Sequence, residues 1–246
     1  MLKMQLLHEA GQFEDAAEFG NSALVRFPDD VGLLAAMSTL ALDIEDIDLA
    51  RDCAKKAGSH PEALAATGVL NLADGDMANA ATAFDRSIAL REFNPRAWLG
   101  RGLVELMQND PVAAAQSLDR GAEQFGDHIG SWIAAGWARY LAGEYIEART
   151  RFSRALELDP SFAESQGSMA VADIAAGEID SARHRIKAAL KLDRSCFSAA
   201  LAQVLLTAGE PARAQEIVRK AFDTPLNDRG LTVASYLAGL RRPTLH

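Results

Sequence analysis

A chain of 246 residues with 49% hydrophobic and 24% charged side chains has ample material for a core and the charge of a soluble protein. With no run of about 18 apolar residues, it excludes a transmembrane helix. Its net charge of −9 is uneven, since residues 1–123 hold 10 Lys and Arg against 20 Asp and Glu while 124–246 hold 15 against 14; that balance excludes the clustered positive charge that nucleic acid backbones require.

Residues 1–10, MLKMQLLHEA, lack the longer apolar run and small-residue cleavage site of a secretory leader, which predicts a cytoplasmic protein. Residues 1–30 predict an incomplete helical hairpin, with Gly11 as its turn, Gln12 to Ala16 opening the second helix and Phe27-Pro28 closing it. Residues 31–60 predict a complete but divergent hairpin, with Met37, Leu40, Ala50 and Ala57 inward and Glu45 at the turn. The acids from Asp43 to Asp48 do not have calcium-loop spacing, because Ile47 and Asp48 fall where the fifth ligand and the Gly belong. Acids at the start of second helices, here and at Asp76, Asp110, Glu144, Glu178 and Glu210, are expected to cap those helices and complement their dipoles.

Residues 61–94 and 95–128 predict full-length hairpins, with Gly68 and Gly102 at close contacts and Gly75 and Asn109 at left-handed turns. Pro61, Pro95 and Pro111 fall at first turns, where a missing N–H costs nothing. Arg101 and Glu105, four apart, are expected to pair. Residues 129–162 form the clearest copy: Trp132, Gly136 and Tyr140 share a face of helix A, Gly143 ends it, and Tyr145, Ala148, Phe152 and Ala155 share a face of helix B before Pro160. Residues 163–194 repeat it with Ala170, Gly177, Ala182, Ile186 and Ala189. Residues 195–228 come two residues early, with Gly209, Ala214 and Val218. A last helix is predicted over 229–242, carrying Leu231, Val233, Leu237 and Leu240.

The helix-B alanines Ala80, Ala114, Ala148 and Ala182 stand 34 apart, and Ala16, Ala50 and Ala214 extend the ladder at intervals of 34, 30 and 32. Alanine suits a place where two helices cross closely and a larger side chain would force them apart. The ladder makes 1–246 a single array, read as one domain. Cys53 and Cys196 fall five repeats apart, beyond the roughly 7 Å reach of a disulfide, and are read as buried free thiols in a reducing compartment.

The chemistry of an enzyme is missing from the pattern. There is no Gly-rich phosphate loop and no Gly-x-Ser-x-Gly elbow, and the five His residues are scattered singly, so no cofactor and no metal are expected. Arg149, Arg151, Arg154, Arg183, Arg185 and Lys187 alternate with acids on second helices and are read as a solvated outer face.

The copy at 129–162, through Trp132, Gly136, Ala148, Phe152, Ala155 and Pro160, resembles the tetratricopeptide repeat. The resemblance implies an all-α, right-handed superhelical solenoid of about seven hairpins plus a C-terminal helix. It also implies a non-catalytic scaffold or assembly factor that binds a protein or peptide along its helix-A face, while the charge balance and the lack of a long apolar run predict no nucleic acid partner and no insertion into a membrane. A second reading is the repeat portion of a larger enzyme, such as a transferase. Mapped from the family, the ligand-facing residues are Leu99, Leu103, Leu106 and Met107, then Ile133, Trp137, Tyr140 and Leu141, then Val171, Ile174 and Ala175. Family members that clamp a chaperone's terminal carboxylate place Lys, Asn and Arg there. This chain departs from that pattern, so an exposed apolar strip with an apolar or amphipathic ligand is expected, the alternative being that a tightly wound superhelix buries these residues against each other or against the terminal helix. The apolar residues of the last helix, within 231–240, are expected to mediate self-association or to meet a partner, unless most of them are buried, and the acidic half is expected to favour a basic partner.

Overall fold

The computed structural model describes residues 2–208 and 216–221, and among these residues there is no strand. Helices pair in chain order as α1 (Leu2–Glu9) with α2 (Phe13–Arg26), α3 (Val31–Asp43) with α4 (Ile47–Ala57), and α5 (Pro61–Ala73) with α6 (Met77–Leu90). They continue as α7 (Pro95–Met107) with α8 (Pro111–Phe125), α9 (Ile129–Leu141) with α10 (Tyr145–Leu158), and α11 (Ala163–Ala175) with α12 (Ile179–Leu192). The last described element is α13 (Phe197–Ala208). The terminal helix expected over 229–242, the turn at Gly209 and the cap at Glu210 lie outside the described residues.

Each of the six described hairpins turns through a residue with positive φ. Gly143 does so at 83°, and the non-glycine residues Glu45 and Asn109 adopt 63° and 59°, as their places in the repeat require. Three of the expected caps form: Asp46, Asp76 and Asp110 accept hydrogen bonds from the backbone N–H three residues on, at 3.1, 3.1 and 3.0 Å. Glu144 and Glu178 do not cap, because their longer side chains reach Arg139 and Arg149 instead.

By compactness the chain divides into two units, with the border between Val104 and Glu105 inside α7. In the first unit, Ala16, Ala50 and Ala80 are fully buried, and Met4, Met37, Leu40 and Cys53 fill the spaces that these small residues leave. The Phe84 ring of α6 lies against two glycines of different helices, Gly68 of α5 and Gly100 of α7, and neither has room for a Cβ. Arg101 donates to Asp85 of α6 at 2.8 Å. In the second unit Ala114, Ala148 and Ala182 are again fully buried. Here α13 packs on α11 through Gly167, where a Cβ would meet the backbone N of Ala199 at 2.6 Å. Glu164 of α11 caps α13, accepting from the backbone N–H of Phe197 and Ser198 at 2.7 and 3.1 Å.

Candidate protein-binding surface

The helix-A row of the second unit is set by the repeat period. Leu106, Tyr140 and Ile174 stand 34 residues apart, as do Met107, Leu141 and Ala175, so each set holds one place at the end of α7, α9 and α11. The structure corrects the expectation that the whole row is an exposed apolar strip. Ile133, Trp137 and Val171 are fully buried, Tyr140 and Leu141 are buried, and in the first unit Leu99 and Leu103 are buried as well. Trp137 packs edge-on against Phe152 of α10, with ring centroids 5.3 Å apart, and against Tyr140 at 5.7 Å. Tyr140 meets Tyr145 at 5.0 Å. A large aromatic on α9 thus turns toward its own helix B, where burying it removes the most apolar surface from water. Leu106, Met107 and Ile174 are half-buried and Ala175 is exposed, leaving an accessible apolar margin at the ends of the A helices.

Beside this margin lies a set of charges whose partners are not visible in any single helix. Asp119 of α8 is nearly buried and accepts from Arg151 of α10 at 2.8 and 3.0 Å and from Arg139 of α9 at 3.0 Å. Arg139 also pairs with Glu144. Asp173 of α11, fully buried, accepts from Arg185 at 2.8 Å and from the Ser181 hydroxyl at 2.7 Å, and forms an ion pair with Arg149 at 3.1 Å. Burial opposes the charge on Arg139, but its hydrogen bonds to Glu144 and Asp119 outweigh that and raise its pKa. The hydrogen bond to Asp119 raises that of Arg151, and Arg149 holds the Glu178 carboxyl below its ordinary range. Arg149, Arg151 and Arg185 therefore tie neighbouring helices together and are not a solvated face. A signal for this row was in the sequence, because Glu105, Arg139 and Asp173 are charged residues 34 apart on successive A helices.

These groups can bind and orient, but they offer no poised nucleophile. Both thiols are buried; burial raises the pKa of Cys53, and burial together with the Glu164 carboxylate raises that of Cys196. Burial, with Tyr145 close by, pushes the Tyr140 phenol up to about 12. Among the described residues, no group of three His, Cys, Asp or Glu could hold a metal ion, and no helix is long and apolar enough to cross a membrane.

Family models described as tetratricopeptide repeat match residues 36–95, 72–128 and 139–200. No curated protein matches the chain. Among solved structures, YrrB, described as a TPR protein with an unusual peptide-binding site, aligns with a TM-score of 0.58 at 18% identity, over 76% of this chain and 99% of its own. PilF of Pseudomonas aeruginosa aligns with a TM-score of 0.64 at 17% identity, over 82% and 95%. MamA of Desulfovibrio magneticus aligns with a TM-score of 0.56 at 20% identity, over 68% and 97%. At such identities the likeness is one of fold.

Proposed function

This chain belongs to the tetratricopeptide-repeat family, and on that premise we propose that it is a non-catalytic scaffold that binds a protein segment along the ends of its A helices. The observation that carries the reading is the margin of Leu106 and Met107 on α7 and Ile174 on α11, which stays accessible at places two repeats apart while Tyr140 and Leu141, at the same places of α9, are buried. Accessible apolar side chains at these places suit an amphipathic helix or extended apolar segment better than a carboxylate terminus. Tyr140 and Leu141 hold the same places on α9 and are buried, and the Asp119 and Asp173 ion-pair networks tie α8 to α12 together. The ladder of helix-B alanines runs through both units and supports reading 1–246 as one array. YrrB, by its description a peptide-binding protein of this family, supports the choice of a peptide as ligand. Self-association through residues 231–240 is kept as a second proposal for this chain, motivated by the apolar pattern there.

The test is a selection of peptides from a random phage-displayed library on the full chain, followed by titration on a Leu106→Glu, Met107→Glu, Ile174→Glu variant. At least about a tenfold loss of affinity with an unchanged helical melt supports the surface. Equal binding to both proteins, or a library that yields no binder, removes it.

A further inference from the structure

A second surface lies away from the helix-A margin, in a crevice of about 470 Å³ between α12 and α13. That volume is in the range of about 300–1,000 Å³ that ligand clefts occupy, enough for apolar side chains of a partner to enter. Its floor is apolar, made by Ile186 and Leu190 of α12 and Leu206 of α13. One rim is cationic: Arg183, Lys187 and Lys191 stand four apart on one face of α12, and all three are exposed. Among the described residues Lys187 and Lys191 make no ion pair, and Arg183 has only a loose contact of 3.4 Å with the fully exposed Asp180. Asp180 is the single acid of α12, whose remaining basic residue Arg185 turns away to Asp173, and α13 carries no charged residue at all. A chain of net charge −9 thus presents a row of three cations along an apolar cleft, two of them without an ion pair among the described residues.

We propose that this crevice docks an acidic amphipathic segment of a partner protein, with carboxylates on Arg183, Lys187 and Lys191 and an apolar side chain on Ile186, Leu190 and Leu206. Charge complementarity selects the occupant, since three cations in a row at helical spacing match acids at the same spacing on a second helix. The segments of this chain outside the described residues do not supply that chemistry: 209–215 and 222–246 hold Glu210, Asp223 and Asp228 against Arg213, Arg229, Arg241 and Arg242. A nucleic acid would need a longer cationic track and aromatic platforms, and no aromatic residue lines the crevice. The proposal does not depend on the helix-A margin.

The experiment uses the full chain and a fluorescent synthetic helix with Leu at every fourth place and Glu elsewhere, beside the same peptide with Gln for Glu. Anisotropy should show binding of the Glu peptide and not of the Gln peptide, weakening with added salt. Lys187→Glu with Lys191→Glu should lower affinity at least about tenfold, while Lys55→Glu with Arg26→Glu, equally exposed, should not. Carbodiimide coupling of the Glu peptide to the unaltered protein should join it to Lys187 and Lys191, a readout that needs no variant. No binding, equal binding of the two peptides, coupling at other lysines, or displacement of the peptide by single-stranded DNA or by a second copy of the chain would overturn the proposal.

Discussion

Gly136 of α9 and Phe152 of α10 meet so closely that a Cβ on Gly136 would lie 2.5 Å from Cδ1 of the ring. The ring is fully buried and packs edge-on against Trp137, which limits where it can move. Gly136→Ala is therefore expected to lose about 1–3 kcal/mol through overpacking, more than the roughly 1 kcal/mol that alanine gains over glycine inside a helix. Thermal unfolding followed by circular dichroism checks it: the midpoint should fall, and a rise would mean that the hairpin can open at this contact.

Trp137 is a core residue, and its loss should be felt as instability before it is felt in binding. Trp137→Ala is expected to cost about 3–5 kcal/mol, because the cavity left beside Phe152 and Tyr140 is bounded by rings that cannot collapse into it. Urea unfolding measures this directly. A variant with the midpoint of the parent protein would return Trp137 to the surface.

Asp119 joins three helices through Arg139 and Arg151, and removing it strands the partly buried guanidinium of Arg151 and leaves that of Arg139 with Glu144. Asp119→Ala should cost about 3 kcal/mol, the low end for breaking a buried pair, since both arginines keep some contact with water. The double variant Asp119→Ala, Arg151→Ala should be less destabilised than the sum of its singles. Strict additivity in denaturant unfolding would show that the pair is only a surface contact.

Tyr140 gives a pH signature. Its folded pKa of about 12 lies above the ordinary value of 10.0, so the neutral phenol is favoured by folding; its contribution is intact below pH 10 and is lost as pH rises from there toward 12. Ultraviolet titration should show a late phenolate transition that disappears in Tyr140→Phe, and that variant should lose stability less steeply across the same window. A wild-type titration complete by the ordinary tyrosine range would contradict the burial.

The hairpins were legible because their requirements are local. An alanine where helices cross and a left-handed residue at each turn recur with the period, and even Glu45 and Asn109 betray their turns by position alone. The site was less legible because it depends on where side chains point. Trp137 maps by resemblance to a place expected to face a ligand, yet its ring packs against Phe152 fifteen residues on, in another helix. Likewise Arg151 and Arg185 read as solvent-facing on their own helices, and only the fold brings them to Asp119 and Asp173. The 34-residue spacing of Glu105, Arg139 and Asp173 was the available clue that charges, like alanines, follow the repeat.

The central claim, that a partner segment lies along the ends of the A helices, is tested most directly by hydrogen–deuterium exchange of the full chain with and without a selected peptide. The account predicts slowed exchange in the last turns of α7, α9 and α11, around Leu106 and Met107, Tyr140 and Leu141, and Ile174. Protection confined to the B helices, or none in these three turns at saturating peptide, would contradict it.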